Sequence, residues 1–211
     1  MTERWVIATG NRGKLAELTA LLAAADLGAL ELVAQTELGV PPADEPAITF
    51  LENALGKARH AARHTGLPAI ADDSGLAVAA LGGAPGVRSA RFAGPAADDR
   101  ANDAKLLEDL ADVPPGRRAA RFHCVLVALE RADDPAPVVA SGTWDGEIAL
   151  HPSGSAGFGY DPVFLDPRLG KTAAELPAAV KNEISHRGKA LRQLVATLKA
   201  RRPGGRPSPH D

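Results

Sequence analysis

Short apolar runs and helical stripes alternate along the first half of the chain. Trp5–Ala8 is an apolar run that predicts a buried strand, and leucines at positions 15, 18, 21 and 22 follow with the spacing of a helix. A second strand is expected at 32–35. The N-terminal region therefore predicts a strand, a Gly-rich turn, a helix and another strand.

A second helix is predicted by its start signal. Thr49 and Glu52 form a capping box, and we expect the helix to run to about His64. Asn53 and Lys57 are four residues apart, so they share a face of this helix. A small-residue packing face is formed by Ala54, Ala58, Ala61 and Ala62. The Pro-rich, acidic segment Gly39–Pro46 before the helix is expected to be a loop.

The second half predicts further strands and helices. A helix is expected at about Asp99–Leu110 and a strand at Arg121–Leu129. Val138–Leu150 predicts two strands joined by a hairpin at Asp145-Gly146. Segment 169–180 is expected to be partly helical, and Lys181–Arg187 opens a final helix with Ser185 as its N-cap. Residues 202–211 are rich in Pro, Gly, Arg and Ser and are expected to be disordered.

Composition narrows the class of protein. The 211 residues are 45% hydrophobic and 24% charged, and the net charge is −2, so no broad basic surface favours binding to polymeric nucleic acid. The single cysteine, Cys124, excludes an internal disulfide and a cysteine-based zinc site, and its apolar surroundings predict a buried thiol. No apolar segment has membrane-spanning length and no signal-peptide pattern is present, which favours a cytoplasmic enzyme.

The turn Thr9–Lys14 is the first candidate for chemistry. It places glycines and a lysine at the start of a helix, where free N–H groups and a positive dipole bind phosphate. It is not a Walker A loop, because Lys14 is followed by Leu15 rather than Ser or Thr. The alternative is an ordinary turn between a strand and a helix.

A pair of adjacent carboxylates is the second candidate. The apolar run Leu67–Ala71 predicts a buried strand that ends at Asp72-Asp73, followed by Ser74 and Gly75. Successive strand residues point to opposite faces, so the two aspartates diverge, and one can face a cleft while the other braces the backbone. Carboxylates at such a place suit a hard cation such as Mg²⁺. The alternative is a simple turn, since Asp-Asp-Ser-Gly is also typical turn chemistry.

Two later segments are further candidates for chemistry. Gly154 to Tyr160 holds three glycines and the chain's one tyrosine, and such a loop lets the backbone approach a ligand beside an aromatic face. Ser185-His186-Arg187 adds a cation at the start of a helix. The alternatives are a plain surface loop and a capped, solvated helix start.

Taken together, the chain resembles the non-canonical purine nucleoside triphosphate pyrophosphatases, which include the inosine triphosphatases and dITP/XTP pyrophosphatases. The resemblance rests on six stretches in family order: Thr9–Lys14, Thr49–Ala54 with Lys57-Ala58, Ala71–Leu76, Gly82–Arg91, Phe158–Asp161 and Ser185–Arg187. It implies an α/β homodimer with a mixed central sheet and flanking helices. It also implies a single domain, 1–201, with two lobes and the active site in the cleft between them. The implied reaction is Mg²⁺-dependent hydrolysis of ITP, dITP and XTP to the monophosphate and pyrophosphate, with no nucleic-acid or membrane partner.

The resemblance also implies roles for individual residues. Glu45 and Asp73 would hold Mg²⁺, and Asp73 would also accept the proton of the attacking water; Asp44 remains an alternative to Glu45. The residues expected to bind substrate are Thr9, Gly10, Asn11, Arg12, Gly13, Lys14, Ser74, Phe158, Gly159, Tyr160, Asp161, Lys181, His186 and Arg187.

Three other functions compete with this interpretation. A Maf-type nucleotide pyrophosphatase would have a similar fold and other substrates, but it lacks the Ser-His-Arg segment. An aspartyl-phosphate hydrolase would use Asp72 or Asp73 as nucleophile, but the Asp-x-Asp-Gly pattern is absent. A non-catalytic nucleotide-binding protein would bind without turnover.

Overall fold

A seven-stranded mixed sheet with flanking helices forms the frame of the protein. The computed structural model describes residues 3–23, 25 and 30–201, so the expected tail at 202–211 lies outside the described residues. The strands are β1 Glu3–Ala8, β2 Leu30–Ala34, β3 Ala69–Val78, β4 Ala119–Leu129, β5 Val138–Ile148, β6 Phe164–Asp166 and β7 Lys171–Thr172. The helices are α1 Arg12–Ala23, α2 Phe50–Thr65, α3 Asp99–Asp109, α4 Ala178–Ile184 and α5 His186–Arg201.

The sheet combines parallel and antiparallel pairing. Its strand order is β2-β1-β3-β4-β5-β6-β7. β1 pairs in parallel with β2 and with β3, and Ala8 lies opposite Ala71 in the second of these pairs. β6 pairs antiparallel with β5 and with β7. The α/β fold with a mixed central sheet is therefore confirmed.

The chain divides into two compact units. The first takes in Met1–Asp72, Val125–Ser141 and Lys189–Asp211, and the second takes in Asp73–Cys124 and Gly142–Gly188. The boundary in β3 falls between Asp72 and Asp73, the two adjacent carboxylates. The single two-lobed domain and its cleft stay predictions.

The first unit is packed around small residues of α2. Ala54, Ala58 and Ala61 are fully buried and Ala62 nearly so, which confirms the predicted packing face. They share a cluster with Val6 and Ala8 of β1 and with Ala69 and Ala71 of β3. Small side chains let a helix backbone approach a sheet closely, so this face fixes α2 against the strands that lead to Lys14 and Asp72.

The second unit has an aromatic core. Trp144 and Phe164 are fully buried, their ring centroids are 4.9 Å apart, and Phe122 lies 4.4 Å from Phe164. The Trp144 indole donates to Asp166 at 2.9 Å, which satisfies its one polar group. Arg168 also donates to Asp166, and these hydrogen bonds lower the pKa of that buried carboxyl to about 2. This core supports the strands and loops that carry the later candidate residues.

Helix ends follow the sequence signals closely. Thr49 Oγ1 accepts from the N–H of Glu52 at 3.2 Å, and Gly66 ends α2 in the left-handed region at φ 68°. Ser185 Oγ accepts from the N–H of Gly188 at 3.1 Å, as expected for the N-cap of α5. The expected helix opening at Lys181 is broken at Ser185, so Lys181 ends up in the short α4 instead.

Two expectations about strands are wrong. The strand through the acidic pair does not end there, because β3 continues through Asp72, Asp73, Ser74 and Gly75 to Val78, which also excludes a turn. Val138–Ile148 is one continuous strand rather than a hairpin. Gly146 is needed for a different reason: a Cβ there would lie 2.5 Å from the carbonyl oxygen of Leu165 on β6.

Candidate active site

The turn between β1 and α1 is held by its own side chains. Thr9 Oγ1 accepts from the N–H of Asn11 at 3.2 Å, and Asn11 Oδ1 accepts from the N–H of Lys14 at 2.9 Å. Asn11 thereby caps the first turn of α1. Gly10, Asn11 and Arg12 are exposed, while Gly13 and Lys14 are half-buried. The turn presents the start of a twelve-residue helix to solvent, an arrangement that suits an anion.

Lys14 is held by a buried carboxylate. Its Nζ lies 2.7 Å from Oδ1 of Asp72, whose side chain has no exposed surface. Burying a carboxylate costs free energy unless the charge is paired, so the ion pair with Asp72 fixes the position of Lys14. The expected divergence of the two aspartates therefore leaves Asp72 as the bracing residue, although Asp73 is also buried, at 5% exposure.

Glu45 is held by α2 rather than left in solvent. Lys57 Nζ lies 2.8 Å from Glu45 Oε1, and the Glu45 side chain is 27% exposed. Asp44 is exposed. Two hydrogen bonds between Asn53 and the backbone of Ala47 fix the next part of the loop, at 3.1 Å and 3.3 Å. The loop carboxylate that is held by the protein is thus Glu45, the expected metal ligand.

Within the second unit, Arg187 reaches the strand that carries the acidic pair. Its Nη2 donates to Ser74 Oγ at 2.9 Å, and only 3% of Arg187 is exposed. Asp73 and Ser74 are successive residues of β3. Asp73, the expected proton acceptor, is therefore followed along the strand by Ser74, which orients Arg187.

The loop Phe158–Asp161 is organised around the Asp161 carboxylate. Oδ2 of Asp161 accepts from Lys181 Nζ at 2.5 Å and from the N–H of Phe158 at 2.9 Å. Two cations flank the Phe158 ring, with Lys181 Nζ 5.2 Å and the Arg187 guanidinium carbon 5.3 Å from its centroid. The ring and the two cations form one cluster of aromatic surface and hydrogen-bond donors.

Two further expected substrate-binding side chains, Tyr160 and His186, are also buried in the second unit. Tyr160 is 5% exposed and its hydroxyl donates to the carbonyl oxygen of Ser89 at 2.9 Å. Burial raises the pKa of that phenol. The His186 ring stacks on Phe122, with centroids 4.6 Å apart. These contacts give Tyr160 and His186 structural anchoring that the sequence pattern did not indicate.

Comparison with known proteins identifies the family of the chain. The model of the Ham1 family matches residues 5–197. The chain belongs to the Ham1 family. It is 59% identical over 197 residues to a dITP/XTP pyrophosphatase of Shigella flexneri, covering 93% of this chain and 98% of that protein. It is 60% identical to a dITP/XTP pyrophosphatase of Pectobacterium atrosepticum over 197 residues, with the same two shares covered.

Solved structures of family members have the same fold. A HAM1 protein from Coxiella burnetii superposes with a TM-score of 0.84 at 51% identity, covering 93% of this chain and 98% of that one. A nucleoside-triphosphatase, dITP/XTP pyrophosphatase from Mycobacterium abscessus, superposes with a TM-score of 0.70 at 45% identity, covering 90% and 98%. No helix in the described part of the chain has the length and apolar character needed to cross a bilayer.

Three acidic or basic residues near the family motifs were not predicted as site residues. Lys57 was named for sharing a helix face with Asn53 and as part of a family motif, and the helix spacing was the available signal for its ion pair with Glu45. Asp99 accepts from the N–H of Gly159 at 2.6 Å, a contact between residues 60 positions apart for which the sequence gives no signal. Asp103 lies one helical turn after Asp99 on α3.

Asp103 carries an unusual buried carboxyl group. It is 8% exposed, and its Oδ1 has no hydrogen-bond partner among the described residues. Burial is the main reason that its pKa is raised to about 7, and the negative charges of Asp99 and Asp161 add to the shift. The ionised form of Asp103 is therefore disfavoured beside the loop Phe158–Asp161.

We predict that Asp103→Asn stabilises the protein in a pH-dependent way. Because the pKa of Asp103 in the folded state lies above its ordinary value of 3.8, the contribution of Asp103 to stability is present below pH 4 and is lost as pH rises to about 7. At pH 8 the free energy of unfolding of the variant should exceed that of the native protein by about 1 kcal/mol or more, because a pKa raised by one corresponds to about 1.4 kcal/mol. Urea unfolding at a series of pH values measures the difference.

The matched control is Asp112→Asn, which changes an exposed aspartate. Its stability difference from the native protein should not grow with pH. A constant difference for Asp103→Asn across pH 4 to 8 would contradict the assignment of a raised pKa to this carboxyl group.

Proposed function

We propose that this protein hydrolyses dITP, ITP and XTP to the nucleoside monophosphate and pyrophosphate. The observation that carries the proposal is the use of three successive residues of β3. Asp72 holds Lys14, Asp73 is the expected proton acceptor, and Ser74 holds Arg187. The near-complete alignment with proteins named dITP/XTP pyrophosphatase supports the same activity.

Two clusters in this arrangement suit different parts of the nucleotide. Lys14 and the exposed start of α1 offer positive charge and N–H groups to the triphosphate. Phe158, with Lys181 and Arg187 beside its ring, offers an aromatic face and donors to the nucleoside. The acidic residue between these groups along the chain, Asp73, would accept a proton from water as the α–β phosphoanhydride bond breaks.

The donor set fits a magnesium ion. Mg²⁺ is commonly held by one or two carboxylates together with substrate phosphates and water. Among the described residues no group of three or more His, Cys, Asp and Glu side chains is placed to hold an ion. Glu45, whose carboxylate already has a cation beside it in Lys57, and Asp73 would hold the ion. When bound, the ion would neutralise charge that develops on the phosphates.

Arg187 gives a physical basis for base selection. Arginine has only hydrogen-bond donors, and the 6-keto purines hypoxanthine and xanthine present an acceptor at O6. Adenine presents a donor at that position, so its pairing with arginine would leave donors facing each other. A buried group without a partner costs about 1–3 kcal/mol. We infer that Arg187, oriented by Ser74, favours keto purines over adenine.

The test of function is a substrate panel with a matched variant. Pyrophosphate release from dITP, ITP, XTP, GTP and ATP is measured with and without Mg²⁺ for the native protein and for Asp73→Asn. We expect turnover of the first three substrates with Mg²⁺ and a loss of about 10²-fold or more for the variant, from general-base catalysis alone. Asn keeps the shape of Asp, so circular dichroism serves as the control for folding.

The outcomes separate the competing functions. Preference for other nucleotides would support a Maf-type enzyme, and a trapped phospho-enzyme would support an aspartyl-phosphate hydrolase. Binding without turnover would support a non-catalytic nucleotide-binding protein. A near-normal rate for Asp73→Asn would remove Asp73 from the mechanism.

We predict that Arg187→Ala lowers the ratio of kcat/KM for ITP over ATP by about tenfold or more. The expected size follows from losing one buried hydrogen-bonding partner to the keto group. Steady-state kinetics on both substrates measures the ratio. Ser74→Ala removes the hydrogen bond that orients Arg187 but keeps the buried arginine. Arg100→Ala, which changes an exposed arginine of α3, is the control. Intact selectivity in both site variants would assign discrimination to other groups, such as the backbone of Phe158–Asp161.

We also propose that the chain is a cytoplasmic homodimer. The proposal rests on its resemblance to the family, and its single cysteine agrees with a reducing compartment. Light scattering at the concentration used for assays should give twice the mass of one chain. The mass of a single chain would contradict the dimer.

A further inference from the structure

The loop that carries Glu45 has few ways to fix its own backbone. It begins after a 3₁₀ turn, Gln35–Leu38, with Gly39 in the left-handed region at φ 68°. Val40 is buried and its N–H donates to the carbonyl of Gln35 at 3.0 Å. Pro41, Pro42 and Pro46 have no N–H, so at these three positions the backbone can be held only through its carbonyl oxygens.

One face of α2 supplies the missing partners. Asn53, Lys57 and His60 are spaced by four and three residues, which places them in one row along the helix. Asn53 exchanges two hydrogen bonds with the backbone of Ala47, at 3.1 Å and 3.3 Å. Lys57 holds the Glu45 carboxylate at 2.8 Å. The loop therefore runs back along the row, from the end of α2 towards its start.

His60 is the last member of the row. Its Nε2 lies 2.9 Å from the carbonyl oxygen of Pro41. A carbonyl oxygen can only accept, so Nε2 carries the proton and donates it. Because Pro41 and Pro42 offer no N–H, this donor from α2 compensates for what the backbone lacks. The hydrogen bond fixes the loop four residues before Glu45, and Asn53 fixes it two residues after.

We propose that Asn53, Lys57 and His60 form a positioning row that sets the place of the Glu45 carboxylate for metal binding, with His60 as a positioning residue for the reaction. The inference rests on the proposed function in one respect, the role of Glu45 as a metal ligand. The two outer residues hold the backbone on either side of Glu45, and the middle residue holds its side chain. A carboxylate whose backbone and side chain are both fixed loses little conformational freedom when it binds an ion, which favours binding.

The experiment compares His60→Ala and His60→Gln with a control on the same helix. Gln keeps an N–H donor of similar reach and should restore the contact with Pro41. Arg63→Ala changes an exposed residue of α2 that has no part in the row. The native protein and the three variants are purified as the full chain, and thermal unfolding is measured for each.

The first readout does not depend on a metal. Hydrogen–deuterium exchange is followed for the peptide that covers Ala43, Asp44, Glu45 and Ala47, without Mg²⁺ or nucleotide. His60→Ala should speed exchange in this peptide by about two- to tenfold, the range for the loss of one hydrogen bond. His60→Gln and Arg63→Ala should exchange as the native protein does.

The second readout is the Mg²⁺ dependence of dITP hydrolysis. For His60→Ala the Mg²⁺ concentration at half-maximal rate should rise by about two- to tenfold, while kcat at saturating Mg²⁺ stays within about twofold. His60→Gln should restore the native value. Unchanged exchange and unchanged Mg²⁺ dependence in His60→Ala would overturn the proposal. Equal loss of activity at every Mg²⁺ concentration, with a lowered unfolding temperature, would also overturn it in favour of a purely structural contact.

Failure of the proposed function gives a different result. If the native protein does not hydrolyse dITP with Mg²⁺, the assignment of Glu45 to a metal falls. The exchange data would then still show whether the row holds the loop. If the native protein is active and His60→Ala behaves as native in both readouts, the positioning row alone is refuted.

Discussion

The ion pair between Lys14 and Asp72 is the interaction on which the candidate site depends. A carboxylate without exposed surface needs a counter-charge, and Lys14 provides it at 2.7 Å. The sheet explains why the two meet. Ala8 lies opposite Ala71 in parallel register, so the turn that follows β1 begins beside the position of Asp72. The register of one strand pair thereby fixes the lysine, and the next two residues of β3 are Asp73, the proposed proton acceptor, and Ser74, which accepts from Arg187.

Much of the fold could be predicted because its signals are local. The cap at Thr49, the small-residue face of α2 and the N-cap at Ser185 depend on neighbours within one or two helical turns. Lys14 was named from its place at the start of a helix, and Glu45 and Arg187 from the resemblance to the family; the structure gives each of them a specific polar partner. Their roles in binding and catalysis stay predictions.

The errors come from contacts between distant parts of the chain. Asp145-Gly146 is a typical turn pair, but Gly146 is required by the close approach of the Leu165 carbonyl, which no local pattern indicates. The stacking of His186 on Phe122 and the hydrogen bond from the Gly159 N–H to Asp99 are also contacts between residues far apart in the sequence. A sequence pattern describes which face of an element is apolar, but it does not describe which distant backbone group will meet it.

The candidate residues are divided between the two compact units, and the division has an evolutionary consequence. Lys14, Asp72, Glu45 and the row on α2 belong to the first unit, whereas Phe158, Asp161, Lys181 and Arg187 belong to the second. Substitutions that do not share partners have nearly additive effects on free energy. Under the proposed roles, selection on base recognition would act through the second unit while Lys14 and Glu45 of the first unit stay unchanged. On this view the Asp72–Asp73 peptide bond joins two traits that can diverge at different rates.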